Sequence, residues 1–153
     1  MTQGLQRGSL VVVAGRPAMG KTSLVTNIAK NVAQLHELPV CFFSLEMSKE
    51  QMTYRFLSME VGIESGRLRT GRLQQDEWPI LGQGIETLGK TPIFISGKST
   101  VTVEEMVRKC QQVQEETKKS LGLVVVDYVQ LMDGKPFIQD ESRDAELGKI
   151  VID

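Results

Sequence analysis

The sequence predicts an α/β fold in which helices flank a mainly parallel β-sheet. Short apolar runs rich in β-branched residues alternate with longer amphipathic stretches, which is the pattern of strand–helix–strand units. A glycine-rich loop follows the first apolar run and precedes a helical pattern, so strand, loop and helix come in the order of a phosphate-binding unit. A length of 153 residues suits one domain with a sizeable core.

We expect four strands, because four apolar runs have the length and composition of buried parallel strands. Residues 10–14 and 121–126 are strongly β-branched, and residues 40–45 and 92–95 form the two runs between them. The first and last of these runs are the ones that precede candidate ligand-binding residues.

Helices are expected between these strands. Ser-x-x-Gln and Thr-x-x-Glu patterns predict capping boxes that begin helices over about 48–61 and 102–118. Asp76 is expected to cap a helix over about 76–88, and residues 63–72 are a loop or a short helix. The first helix follows the glycine loop, where apolar residues recur at helical spacing: Leu24, Val25, Ile28, Ala29, Val32 and Leu35.

The C-terminal part of the sequence changes character. Residues 133–142 are polar, contain Gly134 and Pro136, and are expected to form an exposed loop. A further helix is expected to start at Arg143, and no glycine or proline closes it before Asp153. We therefore expect the chain to be part of a longer protein, with the domain incomplete at its C-terminal end.

Composition excludes several classes of protein. Hydrophobic residues make up 41% and charged residues 24%, and no apolar run approaches the ~20 residues of a membrane span. The N-terminus lacks the basic-then-apolar pattern of a secretory signal. A net charge of −1 argues against a domain-wide basic surface for nucleic acid, although a few local cations still suffice to hold a strand.

Four residues that often carry chemistry are expected to be structural here. Cys41 and Cys110 lack metal-ligand spacing and are expected to be reduced core thiols of a cytosolic-type compartment. His36 is expected at a helix end or on the surface rather than as a ligand. Trp78 is expected to pack in the core rather than to stack on a base.

Residues 15–22 fit the phosphate-binding pattern G-x-x-x-x-G-K-[ST] at every fixed position. Glycines let backbone N–H groups curl around a phosphate chain, and the following helix presents its positive N-terminus to the same anion. In this pattern Lys21 reaches the β- and γ-phosphates of the nucleotide, and the Thr22 hydroxyl holds Mg²⁺. A Gly/Pro turn that happens to carry a lysine is the alternative. The predicted nucleotide-binding residues are Gly15, Arg16, Pro17, Ala18, Met19, Gly20, Lys21, Thr22 and Ser23.

Polar residues also follow two of the later strands. Asp127 ends the run 121–126, and in nucleotide hydrolases with a phosphate loop such an aspartate holds Mg²⁺; a strand-end cap is the alternative. Glu46 follows the second strand, where it either activates the water that attacks the γ-phosphate or simply begins a helix. Gln130 either senses the γ-phosphate or makes a loop hydrogen bond. From the residues alone, both alternatives stay open for Glu46 and Gln130.

Four segments resemble motifs of the hexameric replicative DNA helicases of the DnaB type. Residues 16–22 resemble the phosphate loop of that family, and residues 43–48 resemble the stretch that contains its catalytic glutamate. Residues 70–73, with Trp78 downstream, are similar to another family signature, and residues 127–132 closely match its second nucleotide motif. Together these segments cover most of the chain in the family's order, which makes the combination more specific than any one motif.

The resemblance implies a RecA-like core, a phosphate-loop ATPase that forms the C-terminal motor of the helicase. It implies a homo-hexameric ring that translocates on single-stranded DNA and unwinds the duplex at a replication fork by hydrolysing ATP. It further implies ATP and Mg²⁺ as ligands, Lys21 and Glu46 as catalytic residues, and Thr22 and Asp127 as metal ligands. Such a protein works in the cytoplasm on the nucleoid, or in the stroma of an organelle.

The resemblance also suggests that the loop 133–142 faces the central channel. Lys135 and Arg143 are then the nearby cations that contact DNA phosphates, with solvated surface charge as the alternative. The family's later glutamine motif, its arginine finger and its primase-contacting N-terminal domain cannot be placed in this sequence. We therefore interpret residues 1–153 as the first part of the motor, expect primase and a helicase loader to bind elsewhere, and expect slow turnover by the chain alone.

Two other classes of protein remain as alternatives. A RecA-type recombinase or a clock-type ATPase shares the phosphate loop and the strand-end aspartate, but not both motif segments 43–48 and 127–132. A nucleotide-binding assembly module without productive hydrolysis is the second alternative.

Overall fold

A three-stranded parallel sheet organises the part of the chain that the structure describes. The computed structural model describes residues 4–16, 18–98 and 100–128. The spatial order is β2-β1-β3, and β1 pairs in parallel with both neighbours. The register places Val40 opposite Ile93 and Leu123, and Ser44 opposite Asp127. The strands are β1 (Val40–Ser44), β2 (Ile93–Ser96) and β3 (Leu123–Asp127).

Five helices surround this sheet within the described residues, and two of them begin as the sequence predicts. Ser48 and Thr102 each accept a hydrogen bond from the backbone N–H three residues on, while Gln51 and Glu105 return a side-chain bond. Both predicted capping boxes are therefore confirmed. The helices are α1 (Lys21–Leu35), α2 (Lys49–Val61), α3 (Ser65–Thr70), α4 (Glu77–Lys90) and α5 (Val103–Thr117).

The core lies on both faces of β1, because successive side chains of a strand point to opposite faces. On one face, Val40 and Phe42 pack against α1 and α2, and the rings of Phe42 and Phe56 meet edge to face with centroids 5.8 Å apart. On the other face, Cys41 and Phe43 pack against α5. The predicted arrangement of a mainly parallel sheet between helices is thus confirmed.

The two cysteines occupy the α5 side of the sheet as free thiols. Cys41 is buried and Cys110 half-buried, which confirms the prediction of reduced core thiols. A hydrogen bond with the Cys110 thiol, together with burial, raises the pKa of Cys41, so this thiol stays protonated.

A second cluster joins α2, α3 and α4. Leu57, Ile63 and Leu68 are its buried members. The Arg67 guanidinium bonds both carboxylate oxygens of Glu77 over 2.9 and 2.6 Å, which fixes α3 against the start of α4. The structure therefore makes residues 65–70 a short helix, one of the two predicted options.

The predicted first strand is wrong. Residues 10–14 form no strand, and Leu10 and Val12 are 68% and 69% exposed. A β-branched run becomes a strand only where it finds a pairing partner and a surface to cover. Among the described residues this run pairs with neither edge of the sheet, and its β-propensity alone does not make it a strand.

Two predictions at the start of α4 are also wrong. Asp76 stands at the N-cap position but makes no side-chain cap, because its backbone is helical rather than extended (φ −77°, ψ −16°) and Pro79, the third helical residue, has no N–H to donate. Trp78 is 55% exposed rather than in the core. The helix α4 directs Leu81 and Leu88 toward α2, which leaves Trp78 on the flank of the packed face.

Candidate nucleotide site

The phosphate loop turns sharply into α1. Gly20 is the N-cap of α1 and has a φ of 84°, a left-handed conformation that favours glycine. Ala18 is also left-handed, with a φ of 62°, and the Met19 N–H donates to the Arg16 carbonyl over 3.3 Å. No side chain caps this helix, so its N-terminal N–H groups remain available to an anion.

Lys21 folds back over this loop. Its Nζ donates to the carbonyl oxygens of Gly15 and Arg16 over 2.7 and 3.1 Å. Gly15 lies so close that an added Cβ would stand 3.6 Å from the Cγ of Lys21. The ammonium group is therefore centred in the loop that the sequence pattern assigns to phosphate.

Because of the direction in which α1 runs, its N-terminus lies at the carboxyl ends of the strands. Residues 36–39 connect α1 to β1, and α1 packs along the sheet through Ala29 and Ala33. The C-terminal end of α1 must then lie beside the strand starts. Lys21 and Thr22, at the other end of the helix, stand at the edge of the sheet where ligands of parallel α/β folds collect.

Asp127 ends β3 at this same edge and is 5% exposed. Its Oδ2 is buried and has no hydrogen-bond partner, the single side-chain atom of this kind in residues 4–16, 18–98 and 100–128. A buried carboxylate oxygen without a partner is costly unless a cation or donor meets it. The residue thus fits the role of a ligand to a divalent cation.

The chemistry of the surrounding donors suits Mg²⁺. The described part of the chain contains no cluster of three or more Asp, Glu, His or Cys side chains that would hold a metal by themselves. Mg²⁺ is commonly bound by one or two protein oxygens together with waters and phosphate oxygens. Asp127 and the Thr22 hydroxyl would form such a minimal set.

Glu46 follows β1 at the same carboxyl edge. Ser44 lies opposite Asp127 in the register, and the Leu45 N–H donates to the Asp127 carbonyl over 2.8 Å. Glu46 comes one residue later, and its side chain is exposed. A carboxylate in this position has access both to solvent water and to the edge where Asp127 ends.

The first turn of α2 adds negative charge beside Glu46. Glu50 is fully exposed, and a hydrogen bond with the Ser48 side chain lowers the pKa of its carboxyl group. Glu50 is therefore ionised at neutral pH, where it favours the positive end of the α2 dipole.

The structure brings Lys21, Thr22, Glu46 and Asp127 to one edge of the sheet. Several predicted site residues lie outside the described residues: Pro17, Gln130, Lys135 and Arg143, with the loop 133–142. The sequence analysis missed Ser44, which is 1% exposed and bonds the segment that carries Glu46. The sequence signal that could have identified Ser44 is a single hydroxyl at the end of an otherwise apolar strand.

Comparison with known proteins places this geometry in context. The whole chain, residues 1–153, matches the protein family described as the DnaB-like helicase C-terminal domain. It is 48% identical over 150 residues to the replicative DNA helicase DnaB of Nostoc sp., and 38% identical over 150 residues to the replicative DNA helicase of Bacillus subtilis. These matches cover 98% of this chain, but 17% and 32% of the respective relatives. The chain therefore spans a third or less of the length of these relatives.

Two solved structures share the fold. One, described as a DnaB-like replicative helicase and its interactions with primase, superposes with a TM-score of 0.77 at 25% identity. It is matched over 88% of this chain and 32% of its own chain. The other, described as an ATPase domain, also has a TM-score of 0.77, at 26% identity, over 88% of this chain and 47% of its own.

Proposed function

Because the chain belongs to the DnaB-like helicase C-terminal domain family, we propose that it is part of an ATP-hydrolysing motor that unwinds duplex DNA at a replication fork. The observation that carries this proposal is the common edge of the sheet shared by the phosphate loop, Glu46 and Asp127. In a member of this family, that combination supports ATP as the substrate.

The chain's own residues suffice for the binding half of the reaction. The backbone N–H groups of residues 15–22 and the Lys21 ammonium neutralise the charge of the phosphate chain. Thr22 and Asp127 would hold Mg²⁺, which when bound neutralises charge on the β- and γ-phosphate oxygens. The buried, unpartnered Oδ2 of Asp127 supports this assignment.

Glu46 supplies the hydrolytic half. Its carboxylate orients a water in line with the leaving oxygen and accepts a proton from it as the γ-phosphate is transferred. Phosphoryl transfer needs little more from a protein than positioning and electrostatic stabilisation. The exposure of Glu46 beside the Asp127 edge supports this role, because the water must reach it from solvent.

The complete protein is proposed to be a homo-hexameric ring around single-stranded DNA. A head-to-tail ring lets each subunit complete the site of its neighbour, and an arginine supplied in this way is typically worth about 10³–10⁵ in rate. Lys135 and Arg143 of the segment from 133 onward are proposed DNA contacts. Primase and a loader are proposed to bind parts of the protein beyond this chain.

The place of action follows from this function. Within the described residues, no helix is long and apolar enough to cross a membrane. We propose that the protein works where a chromosome is copied, either on the nucleoid in the cytoplasm or in the stroma of an organelle.

Strand separation on a forked DNA substrate tests the proposal. The complete protein with ATP and Mg²⁺ is expected to release the labelled strand, and Lys21→Ala is expected to abolish release because it no longer binds MgATP tightly. Hydrolysis without strand release would favour a recombinase or clock-type ATPase. Nucleotide-dependent assembly with neither hydrolysis nor release would favour an assembly module.

A further inference from the structure

The segment between β1 and α2 is held on both sides of Glu46. Leu45, which precedes Glu46, is 5% exposed, and its N–H is bonded to the carbonyl of Asp127. Met47, which follows, packs against the core shared by the sheet, α1 and α2. Glu46 is therefore an exposed residue between two anchored neighbours.

A single buried hydroxyl anchors the second neighbour. The Oγ of Ser44 donates to the carbonyl of Met47 over 2.9 Å and accepts from the N–H of Met47 over 3.2 Å. A hydroxyl has one donor and two acceptor sites, so one side chain closes this turn in both directions. Ser44 is 1% exposed, so water has little access to replace these bonds.

The register links the same residue to the proposed metal edge. Ser44 is the last residue of β1 and lies directly opposite Asp127 of β3. The turn from 44 to 47 is thus bonded to β3 at its start and closed by the Ser44 hydroxyl at its end. Its geometry fixes the position of the Glu46 backbone relative to Asp127.

We propose that Ser44 is a positioning residue for Glu46: its hydroxyl sets the turn that aims the carboxylate at the attacking water. This inference rests on the proposed function, in which Glu46 activates that water. Ser44 acts through the backbone of Met47 and needs no contact with the nucleotide. Misplacement of a catalytic group by about 1 Å can cost about 10²-fold in rate, so two lost hydrogen bonds in this turn matter.

The test is steady-state ATP hydrolysis by the complete protein in the presence of single-stranded DNA. Ser44→Ala is expected to lower kcat by about tenfold or more while KM for ATP and Kd for a fluorescent ATP analogue stay within about twofold, because only the water-activating group is displaced. Ser44→Cys keeps a donor and acceptor group at this position, on a somewhat larger atom that makes weaker hydrogen bonds, so its kcat is expected between those of Ser44→Ala and the wild type.

Ser58→Ala is the matched control. The Ser58 hydroxyl also closes a turn, donating to the Ile63 carbonyl over 2.5 Å, but this turn follows α2 and lies away from the carboxyl edge of the sheet. Ser58→Ala removes a comparable bond and is expected to leave kcat unchanged. Thermal unfolding of each variant sets a temperature at which all are folded.

The outcomes separate this inference from the function on which it rests. If Ser44→Ala matches Ser58→Ala in kcat, or raises KM and Kd as much as it lowers kcat, the positioning role is wrong. If Ser44→Ala does not fold, Ser44→Cys decides: a kcat equal to wild type overturns the inference. Wild-type turnover by Glu46→Gln, in contrast, overturns the proposed function itself.

Discussion

At the carboxyl end of β3, Asp127 keeps one carboxylate oxygen buried and without a hydrogen-bond partner. Buried carboxylate oxygens without a partner are normally avoided, because their desolvation is not repaid by any contact. Their presence at a strand end that faces a phosphate loop is typical of a site that a cation completes. Because the unpartnered group is the single atom Oδ2, a substitution that changes this atom tests whether a cation completes the site.

Asp127→Asn is expected to uncouple nucleotide binding from Mg²⁺. The wild type should bind ATP more tightly with Mg²⁺ than with EDTA, whereas the variant should bind equally under both conditions, because a neutral amide is a poor ligand for this ion. Titration with a fluorescent ATP analogue measures both affinities. If the variant keeps the wild-type Mg²⁺ dependence, Asp127 is not a ligand of the metal.

Stability without metal provides the control for this experiment. The variant should be about as stable as the wild type in EDTA, since the Oδ2 atom that the substitution changes makes no hydrogen bond in the structure. A large loss of stability in EDTA would mean that the carboxylate is needed for folding rather than for a ligand.

Among the elements, α2 and α4 pack tightly against each other at Gly84. This glycine is buried, and a Cβ added to it would overlap the Cγ1 of Val61 and stand 3.4 Å from the Cδ1 of Leu57. Gly82 in the same helix has no atom within 4 Å of the position of an added Cβ. The two glycines thus form a matched pair with opposite surroundings.

Gly84→Ala is expected to lower the free energy of unfolding by about 1–3 kcal/mol, because overpacking outweighs the better helix propensity of alanine. Gly82→Ala should instead raise it by up to about 1 kcal/mol, since only propensity changes. Urea unfolding followed by circular dichroism measures both. Equal effects of the two substitutions would contradict the observed packing of α4 on α2.

The ion pair between α1 and α2 makes stability depend on pH. The Lys30 Nζ lies 2.8 Å from the Oε2 of Glu60, and the Gln34 amide donates to the same oxygen over 2.8 Å. The Lys30 hydrogen bond first, and the Gln34 bond second, lower the pKa of Glu60 in the folded chain. Since the unfolded pKa is about 4.3, this contribution is fully present above that value and is lost as pH falls through the lower folded pKa.

Glu60→Gln is expected to cost about 1 kcal/mol of unfolding free energy at pH 7, and the difference from wild type should shrink progressively as pH falls below the unfolded pKa of about 4.3. Glu86→Gln is the control, because its partner Lys90 and Glu86 itself are 75% and 69% exposed and such pairs contribute little. Urea unfolding from pH 3 to pH 7 tests this. A Glu60→Gln difference that does not change with pH would contradict the role of the Lys30 and Gln34 hydrogen bonds to Glu60.

An element could be predicted from the sequence where the residues that determine it lie close together in the chain. The helix starts at Ser48 and Thr102 were predictable because a capping box is complete within four residues. The strand over 10–14 was not, because strand formation depends on a partner chosen elsewhere in the fold. The exposure of Trp78 was unpredictable for a similar reason. It depends on which face of α4 packs against α2, and Leu81 and Leu88, later in the helix, determine that face.

The candidate site was predictable for a different reason. A phosphate-binding pattern and a carboxylate at a strand end name their chemistry by residue type and spacing, so Lys21, Thr22 and Asp127 were predicted as site residues without coordinates. For Glu46 both alternatives stayed open from the residues alone, and the family resemblance favoured the catalytic one. The role of Ser44 was not, because a buried serine is informative only once its hydroxyl is seen to bond both backbone groups of Met47.

At the scale of the whole molecule, charge and composition set limits on how DNA is held. A net charge of −1 over 153 residues gives no general attraction to a polyanion. In the proposed function, contact with DNA would therefore come from a few local cations, which assembly of a ring would bring together so that each subunit contributes a small part of the channel. Hydrolysis would shift such a ring between states with different DNA contacts.

The most direct test of the central claim is ATP turnover by the complete protein, with and without single-stranded DNA, beside Glu46→Gln. We expect DNA to stimulate the wild type strongly, and Glu46→Gln to bind nucleotide normally but to lose hydrolysis under both conditions. Such a result would identify a DNA-driven motor with Glu46 at its chemical centre. Wild-type turnover by Glu46→Gln, or turnover that ignores DNA, would contradict it.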